Sequence, residues 1–130
     1  KQEHFSPFNL SNPEDNKLSL RFAGLLYDTI AGSICASTGI YSGTDVAKMV
    51  LAGADCVQVV STIYKNKIEH IATMLKDLDN WMESKDYKKL GDFRGKLSNK
   101  NLNDPFVYKR AQYIDLLLKS EQIIKKYPVV

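Results

Sequence analysis

Apolar residues near the start of the chain recur every three to four positions, the spacing of one face of a helix. The residues on this face are Leu18, Phe22, Leu25, Leu26 and Ile30. Pro13 and the acidic residues after it suit the first turn of a helix, and Gly32 suits its end. The pattern therefore predicts a helix from about Glu14 to Ile30.

Two later apolar runs, at 33–37 and 55–60, are too short for helices and predict strands. Neither run alternates regularly between apolar and polar residues, which favours parallel strands buried on both faces. The segment between the runs predicts a helix that begins with Thr44 or Asp45 as its cap and ends at Gly53.

The second half of the chain is predicted to be mainly helical. Ser61-Thr62 starts a short helical turn, and a long amphipathic helix follows that ends at about Ser84. Residues 86–96 predict a helical turn and a loop, and a last helix is expected from about residue 104 to 124. That last helix has one apolar stripe, formed by Val107, Ala111, Ile114 and Leu118.

Alternation of helices and strands predicts an α/β fold with parallel strands. Two strands alone leave both sheet edges unpaired, and the 130 residues are far fewer than the roughly 250 of a (β/α)₈ barrel. We therefore expect the C-terminal portion of a (β/α)₈ TIM barrel: its last two parallel strands and their helices, with an extra C-terminal helix. Residues 1–97 would form the barrel part and 98–130 a helical extension. Such a chain is expected to self-associate or to pair with the missing barrel portion.

Charge and hydropathy exclude several classes of partner. The net charge is only +3, and the lysines are scattered over predicted helical faces without interleaved aromatic residues, so a nucleic-acid partner is not predicted. No run of 18 apolar residues occurs, so no membrane span is expected. Residues 1–9 lack the apolar centre of a signal peptide.

The two cysteines and two histidines predict neither a disulfide framework nor a metal site. Cys35 and Cys56 lie inside apolar runs, which favours buried free thiols in a reducing cytosol, so a cytoplasmic location is expected. His4 and His70 have no further ligand residues at metal-binding spacing.

The ends of the two predicted strands carry the candidate chemistry. Ser37-Thr38-Gly39 follows the first strand and Ser61-Thr62 the second, and each leads into a helix. Barrels often bind phosphate at the loops after their last two strands, because free N–H groups point out of a helix start and glycine permits close approach. Alternatively, Gly39 serves only a tight turn and the hydroxyls only cap helices. The pattern alone leaves both interpretations open.

Three motifs resemble dihydroorotate dehydrogenases. Ile34–Val46 resembles the seventh strand and following loop of that family, and Leu51–Ser61 resembles its eighth strand, with a Gly-Ala-x-x-Val-Gln pattern. Asp92–Leu97 is similar to the family's closing Asp-Phe-Arg-Gly-Lys-Leu segment. The motifs occur in the family's order over about 65 residues, half of the chain.

The resemblance implies an FMN-binding barrel that oxidises dihydroorotate to orotate in pyrimidine biosynthesis. By position, the FMN phosphate would meet the backbone at Thr38, Gly39, Val60 and Ser61. Thr38 and Val60 stand where the family usually has glycine. The family's catalytic base, a Cys or Ser on a loop after an earlier strand, lies outside these 130 residues. No catalytic residue is therefore assigned, and the isolated chain is expected to be inactive.

Two other functions remain open at this stage. One is a related flavin barrel that acts on another substrate, because the substrate-facing loops lie outside the chain. The other is a non-enzymatic piece whose tail helix binds a partner. Structural roles are expected for the remaining polar and aromatic candidates: Gln58 either faces inward in the barrel or is hydrogen-bonded, Arg94 forms an ion pair or caps a helix, and Trp81 serves packing.

Overall fold

The computed structural model describes residues 10–101, which form four α-helices, two 3₁₀ turns and two strands. The helices are α1 (Asn16–Leu26), α2 (Gly43–Ala52), α3 (Ser61–Asn66) and α4 (His70–Ser84); the strands are β1 (Cys35–Ser37) and β2 (Cys56–Gln58); the turns are Pro13–Asp15 and Leu90–Asp92. The predicted helix at 104–124 and nearly all of the predicted extension at 98–130 lie outside the described residues.

The first helix begins as predicted but ends earlier. Pro13 occupies the first position of the 3₁₀ turn, and the Asn12 N–H donates to the Asp15 carboxylate over 2.7 Å. The prediction that the helix continues to Ile30 is wrong, because α1 ends at Leu26. Asp28 adopts a left-handed backbone with φ 57°, a conformation that Asp tolerates and that no helix continues through.

The two strands are parallel, as predicted, and α2 connects them. Cys35 pairs with Cys56, Ala36 with Val57, and Ser37 with Gln58. Ala36 and Val57 face the core formed with the helices. The α/β class is thereby confirmed.

The prediction that both sheet faces are buried is wrong for the described residues. Cys35, Cys56 and Gln58 are exposed on the face opposite Ala36, and no described element covers them. The predicted buried thiols are accordingly wrong as well, since both cysteines are free and exposed. Residues 10–101 supply helices to only one face of the sheet, which we term the open face after its uncovered side chains.

The core lies where α2 packs on α4. Gly43 stands so close to α4 that an added Cβ would collide with the backbone of Met74 and Leu78. Met49 and Val50 on α2 are only 1% exposed. The glycine of the Ser-Gly-Thr-Asp motif therefore serves close packing of two helices.

The closing segment after α4 returns to α2. Phe93 is fully buried, with ring centroids 5.1 Å from Trp81 and 5.0 Å from Tyr87. The Gly95 N–H donates to the Val50 carbonyl over 2.9 Å, and Arg94 forms an ion pair with Asp55 at 3.2 Å. This segment thus fixes the end of α2 and the start of β2, which positions both strands.

Candidate functional site

The carboxyl ends of β1 and β2 open into one cleft of about 500 Å³. Its lining comes from three segments: Leu10, Ser11 and Asp15; Ser37–Ile40; and Gln58–Thr62. All four residues predicted to approach a phosphate, Thr38, Gly39, Val60 and Ser61, therefore lie on the same cleft. The parallel register brings them together, since both strands end at the same edge of the sheet.

The loop after β1 turns through two successive left-handed residues. Thr38 has φ 78° and Gly39 has φ 70°. A β-branched residue in this region is a clear outlier, and a left-handed backbone costs about 1–2 kcal/mol for a residue with a Cβ. Gly39 leaves no room for a side chain, because an added Cβ would lie 2.6 Å from the Asn16 nitrogen and 2.7 Å from the Asn12 oxygen.

Ser11 joins the two loops across the cleft. The Gly39 N–H donates to the Ser11 hydroxyl oxygen over 3.2 Å, and that hydroxyl donates to the Ser61 hydroxyl over 3.0 Å. The Ser11 N–H also donates to Ser61 Oγ over 3.0 Å. One oxygen atom is therefore within hydrogen-bond distance of both the first loop's N–H group and the second loop's hydroxyl.

Lys65 brings a positive charge to the rim of this cleft. Its ammonium group lies 3.2 Å from the Ser11 carbonyl oxygen and 5.2 Å from the centre of the Tyr41 ring. The Tyr41 hydroxyl donates to the same Ser11 carbonyl, and a His70 ring nitrogen lies 2.8 Å from the Tyr41 carbonyl. A cation therefore lies next to the Ser11 backbone, while Asp15 on the lining of the cleft carries a negative charge.

Sequence reasoning missed Ser11 and Lys65. Ser11 lies in a stretch predicted only as loop, and its contacts reach 28 and 50 residues along the chain. Lys65 was counted among scattered surface lysines. No spacing rule finds either residue, because each acts through tertiary contacts.

Asp45 holds the start of α2 beside the cleft. It is not the helix cap that the sequence predicted: Ser42 is the cap, and its hydroxyl accepts the Asp45 N–H over 3.2 Å. Burial alone would raise the pKa of Asp45, but hydrogen bonds from the Tyr41 N–H, from Ser42 and from Lys48 together outweigh burial and lower it. The carboxylate therefore stays charged and ties the Tyr41–Ser42 backbone to the helix.

Two kinds of site are absent from residues 10–101. These residues contain no cluster of three or more His, Cys, Asp or Glu side chains able to hold a metal ion. No helix among them combines the length and apolar character needed to cross a membrane.

Comparison with known proteins confirms the resemblance to dihydroorotate dehydrogenases. The probable dihydroorotate dehydrogenase A (fumarate) of Streptococcus pneumoniae R6 is 36% identical over 64 residues, 49% of this chain and 21% of the relative. The dihydroorotate dehydrogenase (fumarate) of Saccharomyces cerevisiae is 32% identical over 66 residues, 51% of this chain and 21% of the relative. That of Trypanosoma brucei brucei is 37% identical over 59 residues, 45% of this chain and 19% of the relative.

The similarity covers only part of each protein. The matched region spans about a fifth of the length of these relatives. No family model matches the chain. The comparisons therefore support a dehydrogenase-like segment, and the activity of a whole protein is a matter for proposal.

Proposed function

We propose that this chain is the C-terminal part of an FMN-dependent (β/α)₈ barrel that oxidises dihydroorotate to orotate, and that its cleft holds the FMN phosphate. The observation that carries the proposal is the meeting of the Gly39 N–H and the Ser61 hydroxyl at one oxygen, that of Ser11. The similarity to dihydroorotate dehydrogenases supports the choice of substrate and cofactor class.

The groups at the cleft suit a phosphate. A phosphate oxygen that displaced the Ser11 hydroxyl would accept the Gly39 N–H, and the Ser61 hydroxyl would rotate from acceptor to donor. Lys65 would neutralise part of the charge, and hydrogen bonds to a charged acceptor are stronger than neutral ones.

The two departures from the family's glycines lie on the lining of the cleft, and the position between the Gly39 N–H and the Ser61 hydroxyl is held by the Ser11 hydroxyl. Thr38 is exposed, and Val60 is 65% exposed. Both residues line the cleft, and neither forms the hydrogen bonds that join Gly39, Ser11 and Ser61. We infer that Thr38 and Val60 change the outline of the cleft and leave the phosphate contacts in place.

In this proposal the chain positions the cofactor and performs no proton transfer. Bound FMN would supply the acceptor for the hydride that leaves dihydroorotate. Thr38, Gly39, Val60 and Ser61 would fix the phosphate end by backbone and hydroxyl contacts, with Asp45 positioning the loop before α2. The base and the flavin-ring contacts belong to earlier barrel segments, so the isolated chain is expected to be inactive.

The open face and the free strand edges of the sheet are the proposed contacts with the rest of the barrel, or with a second copy of the chain. β1 and β2 pair only with each other among the described residues, so each strand has an edge free to accept another strand. A cytoplasmic location is part of the same proposal, since two free exposed thiols suit a reducing compartment.

Binding of FMN and of inorganic phosphate to the purified 130-residue chain tests the site. We expect both ligands to raise the thermal midpoint, because a ligand that binds only the folded state stabilises it. Ser61→Ala should weaken FMN binding about tenfold, the loss expected for one hydrogen bond to a charged group. Ser84→Ala, an exposed serine that donates within its own helix, is the matched control.

Lys65→Ala should weaken binding several-fold at low salt and less at high salt, because the charge is exposed and screened. Lys76→Ala, also exposed but on α4, should leave affinity unchanged.

If neither ligand changes the thermal midpoint, the phosphate site is wrong, and a helical interaction piece without flavin becomes the better account. If FMN binds but the complete barrel oxidises another dihydropyrimidine in place of dihydroorotate, the substrate assignment alone is wrong.

A further inference from the structure

Two thiols face each other on the open face of the sheet. Cys35 on β1 is the register partner of Cys56 on β2. Both are free and exposed. Paired residues of neighbouring strands project to the same face, so the two sulfur atoms share one side of the sheet, away from the core.

The Cα spacing of neighbouring strands falls within the range of disulfide-linked residues, and the two Cβ atoms would have to approach each other slightly to reach the usual separation of about 3.5–4.5 Å. Neighbouring strands lie about 4.7–4.9 Å apart, and the Cα atoms of disulfide-linked cysteines are usually about 4.4–6.8 Å apart. The neighbouring Cys35 is also the main reason that the pKa of the Cys56 thiol is raised, with smaller effects from burial and from the charge of Asp55.

We propose that Cys35 and Cys56 are a redox modification site that forms a reversible intramolecular disulfide when the chain meets a disulfide oxidant such as oxidised glutathione. One cysteine thiolate attacks oxidised glutathione and releases one glutathione thiolate, which leaves a mixed disulfide on the protein. The second cysteine thiolate then attacks the protein sulfur of that mixed disulfide and releases the second glutathione. Two protein thiols lose two protons and two electrons, and one oxidised glutathione becomes two reduced ones.

The link would join the two strands shortly before their functional ends. Cys35 lies on the same strand as Ser37, just before Thr38, and Cys56 lies just before Gln58 and the second loop. A bond at this position fixes the separation of β1 and β2, whose ends carry the cleft. The proposal stands independently of any flavin, because it depends only on the paired thiols and on an open face that the oxidant reaches before another part of the protein covers it.

Peptide mapping after oxidation tests the link directly. The reduced 130-residue chain is incubated at low concentration with oxidised glutathione, blocked with iodoacetamide and digested with trypsin. Cleavage after Arg21, Lys48 and Lys65 places the cysteines on different peptides, 22–48 and 49–65. We expect these two peptides to be linked in protein that runs as a monomer, with a mass lower by two hydrogens that dithiothreitol restores.

Cys35→Ser and Cys56→Ser are the matched controls. Each should carry one glutathione adduct and yield no linked peptides, and neither should show the thermal stabilisation that the oxidised wild type gains. The proposal is overturned if the wild type carries separate glutathione adducts on both cysteines, or if linked peptides come only from dimers. A cross-link that lowers the thermal midpoint would also overturn it, since the native register would then have to be disturbed to form the bond.

Discussion

Thr38 holds a left-handed backbone, a conformation that favours glycine and that threonine rarely adopts. Its φ of 78° is close to the 70° of Gly39, so the turn needs two successive left-handed residues. Threonine reaches this conformation only with steric strain between its Cβ and the backbone. The turn at Thr38 and Gly39 therefore has a backbone shape that suits two glycines, although its first residue carries a side chain.

Thr38→Gly should stabilise the protein. Removing the Cβ relieves about 1–2 kcal/mol of left-handed strain, and the greater freedom of glycine in the unfolded chain takes back about 0.5–1 kcal/mol. We expect a net gain of about 0.5–1 kcal/mol in the free energy of unfolding, measured in urea. The control Thr44→Gly, in the first turn of α2, should instead lose a few tenths to about 1 kcal/mol. Equal losses in both variants would contradict a strained Thr38.

Gly39→Ala should destabilise the protein strongly. The new Cβ would meet the backbone of Asn12 and Asn16 at 2.6–2.7 Å and would also sit at positive φ. Overpacking and left-handed strain together predict a loss of about 2–4 kcal/mol in the free energy of unfolding. Gly91→Ala is the matched control, because a Cβ there has open space around it. A loss at Gly39 no larger than at Gly91 would mean that segment 12–16 is not packed against the loop.

The residue scale also shows what sequence could and could not predict. Gly39 and Ser61 were found because glycine and hydroxyl residues after short apolar runs are typical of strand ends that bind anions. Ser11 and Lys65 were not found, since Ser11 contacts Gly39 and Lys65 across 28 and 54 residues of sequence. Asp45 was assigned to the wrong capping position, because a Ser-x-x-Asp capping box and an Asp cap differ only in which residue has extended backbone.

At the level of elements, α2 links the site to the core. Its first turn is tied to the loop after β1 by Asp45, whose carboxylate accepts the Tyr41 N–H over 3.1 Å and the Ser42 N–H over 3.2 Å. Its last turn ends at Gly53, the end that the sequence predicted. The helix thus fixes the edge of the cleft relative to the packed core.

Asp45→Asn should reduce stability in a pH-dependent manner. The folded state holds the pKa of Asp45 below its ordinary value of 3.8, so the contribution is fully present above that value and is lost as pH falls through the lowered folded pKa. At pH 7 we expect a loss of about 1–2 kcal/mol, from one helix-start interaction and its charge.

The difference in unfolding free energy between wild type and Asp45→Asn should shrink as pH falls below 3.8. Urea denaturation between acidic and neutral pH measures it. Asp79→Asn, an exposed position on α4, should differ little from wild type at any pH. A difference that stayed constant into acid would show that Asp45 acts through shape alone.

The elements themselves were predicted best where periodicity is strong. α4 was expected to end at about Ser84 and does, because its apolar stripe extends over its whole length. The end of α1 was wrong, since Leu26 and Ile30 keep a helical spacing past the point where Asp28 turns the backbone left-handed. Hydrophobic spacing indicates which face of a helix would be buried. It does not show the residue at which the backbone leaves the helical conformation.

At the scale of the whole molecule, the sheet is covered on one face only. Sequence predicted a strand pair buried on both faces, because the runs lack polar alternation. Within residues 10–101 the helices bury Ala36 and leave Cys35, Cys56 and Gln58 exposed. The sequence pattern thus predicts a sheet that is covered on both faces, and residues 10–101 provide the cover for one of them.

Self-association through the open face follows from this arrangement and gives a direct test under reducing conditions. We expect the 130-residue chain to form dimers or larger species in sedimentation velocity, because parallel sheets are normally covered on both faces and residues 10–101 cover only one. Cys56→Arg should keep it monomeric, since burying an unpaired guanidinium between two sheets costs several kcal/mol. Leu75→Arg, an exposed apolar position on α4, should associate like the wild type. The opposite result would be association that persists in Cys56→Arg and is lost in Leu75→Arg. It would place the contact between chains on the helices. The open face would then remain the proposed contact with the rest of the barrel.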